Sequence, residues 1–455
     1  MRKHYQIEIL DDIVQKVYIP EGLTSKTKLT KIAFGTHSIE TVIERQPRNR
    51  SSIAISQDIA DFLKFPDLKI PLHAFIENET LYIGPLVGIF TSGFTPFPMR
   101  PVGERSLFFA KLLSVKKSVG ALPFLFGEQH LNWEQGTIKG FFYHRDGWET
   151  FEVPFPNVIY DRLPNRKSER HSELKKVKDR LQTEYLIPWY NPGFFNKLDV
   201  YERLQQNENI AEYLPETHSF TSFSEIERML SDYGHVFIKP KNGSSGLGIH
   251  QVLYDKMEGT YYCRYRNQTD VNKLMKYNSL EALMNHIFAG KKLDRMIVQQ
   301  GIHLMRTDSR PVDFRVHTNK DDKGDWLVTA IAAKVAGAGS VTTHVKSGGV
   351  IKTIAEVFPS NEEQKMAEAK LSKAALDISK AIDENMEGII GEIGFDLGLD
   401  RKGNVWLFEA NSKPGRSIFK HPELREFDLL TRKLSLAFAV FLTERAIKRP
   451  EDIFK

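Results

Sequence analysis

The chain has 455 residues, 41% hydrophobic, 27% charged and 11% aromatic, which places it with ordinary globular proteins and excludes a disordered or collagen-like chain. At roughly 150 residues per domain it holds about three domains. Its net charge of +5, from 63 basic and 58 acidic residues, is too small a surplus for a dedicated nucleic-acid binder, and its one cysteine, Cys263, excludes an internal disulfide or a thiolate metal cluster.

The opening residues Met1 to Gln6 show no apolar leader, and no run approaches the ~18 apolar residues of a membrane span. A reducing, cytoplasmic setting is expected. Residues 1–103 alternate short β-like runs with turn residues, as in a small barrel or sandwich, with one short helix at Gln57–Leu63. Nothing there clusters as catalytic, so this β-rich part is expected to be a docking or structural domain. From Glu104 to Val119 the pattern becomes helical, and the apolar run Ala121 to Gly127 follows, which is α/β grammar. A small α/β domain with its linker is expected over 104–195. The stretch Arg162 to Arg180 is rich in arginine and lysine; it reads either as a solvated linker and helix face or as one wall of a groove for an anionic ligand. Over 196–455, helices at Lys197–Gln206, Phe223–Tyr233, Ser279–Phe288, Asn361–Glu387 and Leu424–Ile447 alternate with strands near 236, 296, 314, 326, 394 and 405.

Three features carry chemistry. The first is a strand ending in Lys239 and Lys241 that runs into Gly243, Ser244, Ser245, Gly246 and Gly248. Its backbone N–H groups can close around phosphate oxygens, although a simple hairpin turn has the same composition. It has neither the Gly-Lys-Ser/Thr ending of a P-loop nor a following helix. The second is the pair of apolar runs around Asp400 to Asn404, which reads as an antiparallel hairpin. With a period of 2, Glu409 and Asn411 share a face, and pairing can bring Asp396 beside them. Asp, Glu and Asn together are the oxygen donors that Mg²⁺ accepts alongside nucleotide phosphates. The third is Arg310 to His317, a strand with Asp313 and Arg315 inside it. Arg315 offers a fork suited to phosphate, and a structural ion pair with Asp313 is the other reading.

In this order the three features resemble the ATP-grasp superfamily over about residues 196–447, and the whole chain resembles its YheC/YheD family of endospore-coat-associated proteins. The stretch from Asp313 to Gly349 looks most like the ribosomal-protein glutamate ligases. The resemblance implies an α+β architecture in which two subdomains clasp ATP, preceded by the α/β and β-rich domains. It also implies ATP and Mg²⁺, or Mn²⁺, as cofactors. Lys197 and Lys239 match nucleotide-contacting lysines, Ser244, Ser245, Gly246 and Gly248 match the phosphate-covering loop, and Gln299, Gln300, Gly301 and Ile302 match the adenine hinge, with Gln300 where an acid is common. Arg315 matches the arginine on the transferred phosphoryl group. Lys334 matches a basic residue near the acyl phosphate. Asp396, Glu409 and Asn411 match the metal ligands. His344 and Lys346 stand where Asn and His are common, and Lys346 should still attract an anionic intermediate.

The activity implied is a carboxylate–amine ligase that forms a peptide-like bond through an acyl phosphate, acting on a peptide, a protein or an amino-acid-like substrate. The implied setting is association with spore-coat proteins. A kinase that stops at phosphoryl transfer uses the same site. A non-catalytic coat protein with a retained nucleotide fold is a third reading, disfavoured because every metal position holds an oxygen donor. Cys263 and the scattered His218, His250, His303 and His317 read as packing residues.

Overall fold

The computed structural model describes residues 3–23, 27–47, 51–144, 147–241, 248–267, 271–344 and 348–453. Short strands with alternating burial make up the first eighty-odd residues. They pair in the order His37–Glu40, Lys31–Phe34, Thr80–Gly84, Pro71–Glu77, His4–Leu10, Ile53–Ser56, Lys16–Ile19 and Val42–Arg45. Ile32, Phe34, Ile53, Ile55, Leu72 and Leu81 fill the core of this sheet.

A second sheet follows, and its first strand begins earlier than the change of pattern at Gly103. Leu86–Phe90, grouped in the sequence with the residues before it, pairs in parallel with both Leu122–Phe126 and Val158–Asp161. Its unbroken apolar burial suits a central parallel strand covered on both faces. The helix expected from Glu104 to Val119 is in fact two, Ser106–Leu113 and Lys116–Val119. At the break Ser114 donates its hydroxyl to the Ala110 carbonyl at 2.6 Å, the local side-chain bond that competes with a helix. Thr137–His144 and Gly147–Pro154 form the expected hairpin.

The third sheet is antiparallel, ordered Thr217–Ser219, Met296–Gln300, His235–Pro240, His250–Asp255, Thr260–Arg266 and Asn272–Tyr277. Helices Phe223–Tyr233 and Leu280–Ile287 pack Ile226, Met229, Leu283 and Met284 against Val236, Ile238, Val252 and Val298. The fourth sheet runs Val350–Lys352, Trp326–Val335, Arg310–Lys320, Glu392–Leu399 and Val405–Asn411. On one face Val312, Phe314, Val316, Phe395 and Leu397 meet Leu371, Ala375 and Ile378 of helix Asn361–Asn385. That helix starts with a capping box, Ser360 and Glu363 satisfying each other's backbone N–H groups. The opposite face carries the charged residues.

Two devices tie the second sheet to the fourth. The C-terminal helix Arg425–Lys448 packs Leu436, Phe438 and Val440 into the core formed by Val87, Ile89, Tyr160 and Tyr190. Buried Asn191 donates to the carbonyls of Glu392 (2.8 Å) and Ser412 (2.5 Å), and its side-chain oxygen accepts from Gly391 N–H at 3.0 Å. Among the described residues no helix is long and apolar enough to cross a membrane.

Leu371 is fully buried between its helix and the fourth sheet. Leu371→Ala is expected to cost about 2–5 kcal/mol, the range for such truncations, read as a lower urea midpoint with an unchanged m-value.

Candidate functional site

Strand alternation assembles the charged face of the fourth sheet. Asp396 lies opposite Arg315 on one side and Glu409 on the other, Asn411 lies opposite Gly394, and Asp313 lies opposite Lys334. Directly opposed side chains start about 5 Å apart, so these residues form one cluster. Arg315 grips Asp396 with two bonds, Nε to Oδ1 at 2.7 Å and a terminal nitrogen to Oδ2 at 3.2 Å. Lys334 Nζ bridges both acids, 2.9 Å from Asp396 Oδ1 and 3.0 Å from Asp313 Oδ1. The Thr343 hydroxyl donates to the other oxygen of Asp313.

Burial opposes charge on both acids, with different results. For Asp396 it is outweighed by Arg315 and Lys334, which hold the carboxyl well below the usual carboxylate range. For Asp313 burial wins over the attraction of Lys334, helped by repulsion from Asp396, and the carboxyl titrates above its ordinary value.

The third sheet supplies the facing wall. Lys239 Nζ donates to Gln299 Oε1 at 2.7 Å, and Gln299 donates in turn to the Thr217 hydroxyl at 2.8 Å. Lys197 opens the helix Lys197–Gln205, whose start is capped by Asn196, and its Nζ lies 3.3 Å from Glu409 Oε2. Lys197, Tyr201, Thr217, Lys239, Gln299 and Glu409 border a cleft of about 410 Å³ measured to its open mouth. Burial, and then the neighbouring charge of Lys197, pull Lys239 down to about 7. An anion entering here meets two lysines on one side and an arginine–carboxylate array on the other.

The family model for YheC/D-like ATP-grasp proteins matches residues 186–442. The chain belongs to this ATP-grasp family. Endospore coat-associated protein YheD of Bacillus subtilis (strain 168) is 40% identical over 452 residues, covering 99% of each chain. Endospore coat-associated protein YheC of the same organism is 24% identical over 300 residues, 64% of this chain and 80% of that one. Among solved structures, D-alanine–D-alanine ligase from Bacillus anthracis aligns with a TM-score of 0.45 and 12% identity, over 79% of this chain and 99% of that one.

Of the expected site residues in this ATP-grasp chain, Lys197, Lys239, Gln299 and Glu409 border the cleft, while Arg315, Lys334 and Asp396 form an ion-pair cluster beside Glu409, and Asn411 follows Glu409 on the same face of its strand. Ser244, Ser245, Gly246 and Lys346 lie outside the described residues. Gly248 is described, in a left-handed conformation (φ +73°) where a side chain would be strained. The hinge differs from the sequence expectation. Gln300 does not border the cleft: its side-chain oxygen accepts from Glu216 N–H at 3.0 Å and its own N–H donates to the Glu216 carbonyl at 2.8 Å. Gly301 N–H is held by the His235 carbonyl at 3.0 Å. The cause is topological, since Met296–Gln300 runs between two strands of its sheet and their neighbours take these donors. Thr217 and Tyr201 border the cleft without any motif to announce them. Asp313 pairs with Lys334 and not with an arginine, as the alternative reading of this strand had it; the hairpin register of 310–320 on 326–335 was the signal available for it.

Asp396, Glu409 and Asn411 offer only oxygen donors on one face, the donor chemistry a hard divalent cation takes. Among the described residues no group of three His, Cys, Asp or Glu side chains forms a metal cluster.

A lysine depressed to about 7 from its ordinary 10.5 binds fewer protons folded than unfolded between those values, so its contribution to stability rises with pH across that window. In Lys239→Met this rise is expected to vanish. Melting temperatures of wild type minus variant, measured from pH 6.5 to 10, should become steadily more positive.

Proposed function

We propose that this protein is an ATP- and Mg²⁺-dependent carboxylate–amine ligase that forms an amide through an acyl phosphate. The observation that carries the reading is the convergence of Arg315, Lys334, Asp396 and Glu409 on one sheet face across a cleft from Lys197 and Lys239. In the first step a substrate carboxylate oxygen attacks the γ-phosphorus of ATP, the bond to the bridging oxygen breaks, and ADP leaves. In the second an amine nitrogen attacks the acyl carbon, the bond to phosphate oxygen breaks, and phosphate departs while the amine gives up a proton.

No protein nucleophile is needed, and the chain's work is positional and electrostatic. Lys239 and Lys197 hold phosphate oxygens, and Lys239 takes up a proton as the anion arrives. Arg315 and Lys334 offset charge on the transferred group, and Asp396 keeps Arg315 aimed along the sheet face. Asp396, Glu409 and Asn411 would hold the Mg²⁺, which when bound neutralises phosphate charge and aligns the leaving oxygen. The relatives YheD and YheC, named as endospore coat-associated proteins, support a setting at the spore coat. The β-rich residues before Leu86 are proposed as the docking part.

Hydroxylamine separates a ligase from a kinase, because it captures an acyl phosphate as a hydroxamate. Bacterial extract fractions supplied with ATP, Mg²⁺, hydroxylamine and the protein are expected to yield an ATP-dependent hydroxamate by mass spectrometry. A stable phosphorylated product without hydroxamate would replace the ligase reading with the kinase one. Glu409→Gln and Arg315→Met are each expected to slow ADP release by about 100-fold or more, the scale on which preorganised charge-stabilising groups act.

A further inference from the structure

The arginine-rich stretch beginning at Arg162 divides in the structure. Most of it is the solvated helix Ser172–Thr183, where Lys176 pairs with Glu173 and Arg180 with Glu184. Arg162 is different. It follows directly on the parallel strand Val158–Asp161, at the carboxyl end of an open α/β sheet where ligands characteristically bind. Its guanidinium lies over two rings, 5.1 Å from the centre of Phe108 and 5.5 Å from that of Tyr160. A terminal nitrogen donates to the Tyr160 hydroxyl at 3.3 Å. Among the described residues no carboxylate lies within ion-pair distance of Arg162, and the residue as a whole is half-buried.

The surroundings carry a surplus of positive charge. Arg416 and Arg432 also stand over Phe108, at 5.9 and 5.5 Å. Arg105, whose charge is disfavoured by burial and then by Arg162, bonds only to the neutral Thr91 hydroxyl and Ser92 carbonyl. Asp428 pairs with Arg416 and Arg432, and Glu392 pairs with Arg416 and accepts from the Tyr160 hydroxyl; Asp161, next to Arg162 in the chain, is taken by Lys413, so Arg162 feels Glu392 and Asp161 only through space. Arg416 is nine-tenths buried, and its Nε has no hydrogen-bond partner. Both ring nitrogens of buried His317 also lack one.

This cluster is continuous with the charged face. His317 is two residues along the strand from Arg315, about 7 Å on the same face, and its ring lies 5.3 Å from Phe419. Phe419 in turn lies 5.8 Å from the Arg416 guanidinium. The path from the Arg315–Asp396 pair to Arg162 therefore runs through His317, Phe419, Arg416 and Phe108. We propose that Arg162, backed by Arg416, binds a carboxylate of the substrate that does not itself react, so that the enzyme takes amino acids or similar compounds by their free acid end. The two rings fix the orientation of the planar guanidinium, and with one bond to Tyr160 it keeps donors for a carboxylate, which it can then grip with little further loss of side-chain freedom. This rests on the ligase reading for the identity of the ligand as substrate, but its test needs no turnover.

The test is saturation-transfer NMR on the full chain with pooled probes: the twenty protein amino acids, D-alanine and D-glutamate, each also supplied as its α-amide. At least one free acid is expected to give a signal that its amide does not. Arg162→Met should weaken that binding at least tenfold, and Arg162→Lys should restore part of it. Glu409→Gln should keep the signal while losing ATP turnover, which separates failure of the ligase reading from failure of this one. The proposal is overturned if no free acid binds, if the amides bind equally well, or if Arg162→Met binds like wild type. The comparison of acid with amide is made on wild-type protein and does not depend on any variant folding.

Discussion

The structure is organised around charge buried on one face of a sheet. Arg315, Asp396, Lys334 and Asp313 are all withdrawn from water, and removing an ion from water costs several kcal/mol even after relaxation. Each is tolerable only because the next is within bonding distance. This requirement fixes the register of three strands at once: a slip of one residue in 310–320, 326–335 or 392–399 would turn one member onto the apolar face against Leu371 and Ile378. The same array explains why burial moves Asp396 and Asp313 in opposite directions. Asp396 has two cations, whereas Asp313 has part of one and a like charge nearby.

Much of the charged face was legible in the sequence because it obeys a period of 2. Glu409 and Asn411, Asp313 and Arg315 could be put on common faces from spacing alone, and the turn at Asp400 to Asn404 joined Asp396 to Glu409. Other parts were not legible, for definite reasons. The strands His250–Asp255, Thr260–Arg266 and Asn272–Tyr277 are rich in tyrosine, lysine and arginine and mostly half-buried, so no apolar alternation marks them. Gln300 sat in the hinge motif, but the direction of its side chain depends on Glu216, a residue 84 positions away. The membership of Leu86–Phe90 was hidden because a buried strand looks alike in either sheet, and its partners come later in the chain.

The α/β part also proves more than a preface to the nucleotide site. Its parallel strands end where Arg105 and Arg162 stand, and Tyr160 reaches across to Glu392 in the fourth sheet. Phe108 serves as a common floor for guanidiniums from three separate stretches of chain. Two domains thus contribute to one continuous cluster of charged and aromatic side chains, with Lys197 and Lys239 at one end and an arginine group at the other.

Asn191 sets the mechanics of the molecule. With its amide spent on Glu392, Gly391 and Ser412, and the C-terminal helix sharing a core with Val87 and Ile89, the second and fourth sheets form a single anvil. Helix Lys197–Gln205 belongs to this unit, since Val200 and Leu204 sit in the fourth-sheet core, and the third sheet meets it where Thr217 N–H donates to the Tyr201 hydroxyl at 3.1 Å and where Arg401 N–H donates to the His303 carbonyl at 3.2 Å. The arginine group and the acids, carried by the second and fourth sheets and the C-terminal helix, are therefore held in fixed relation to one another.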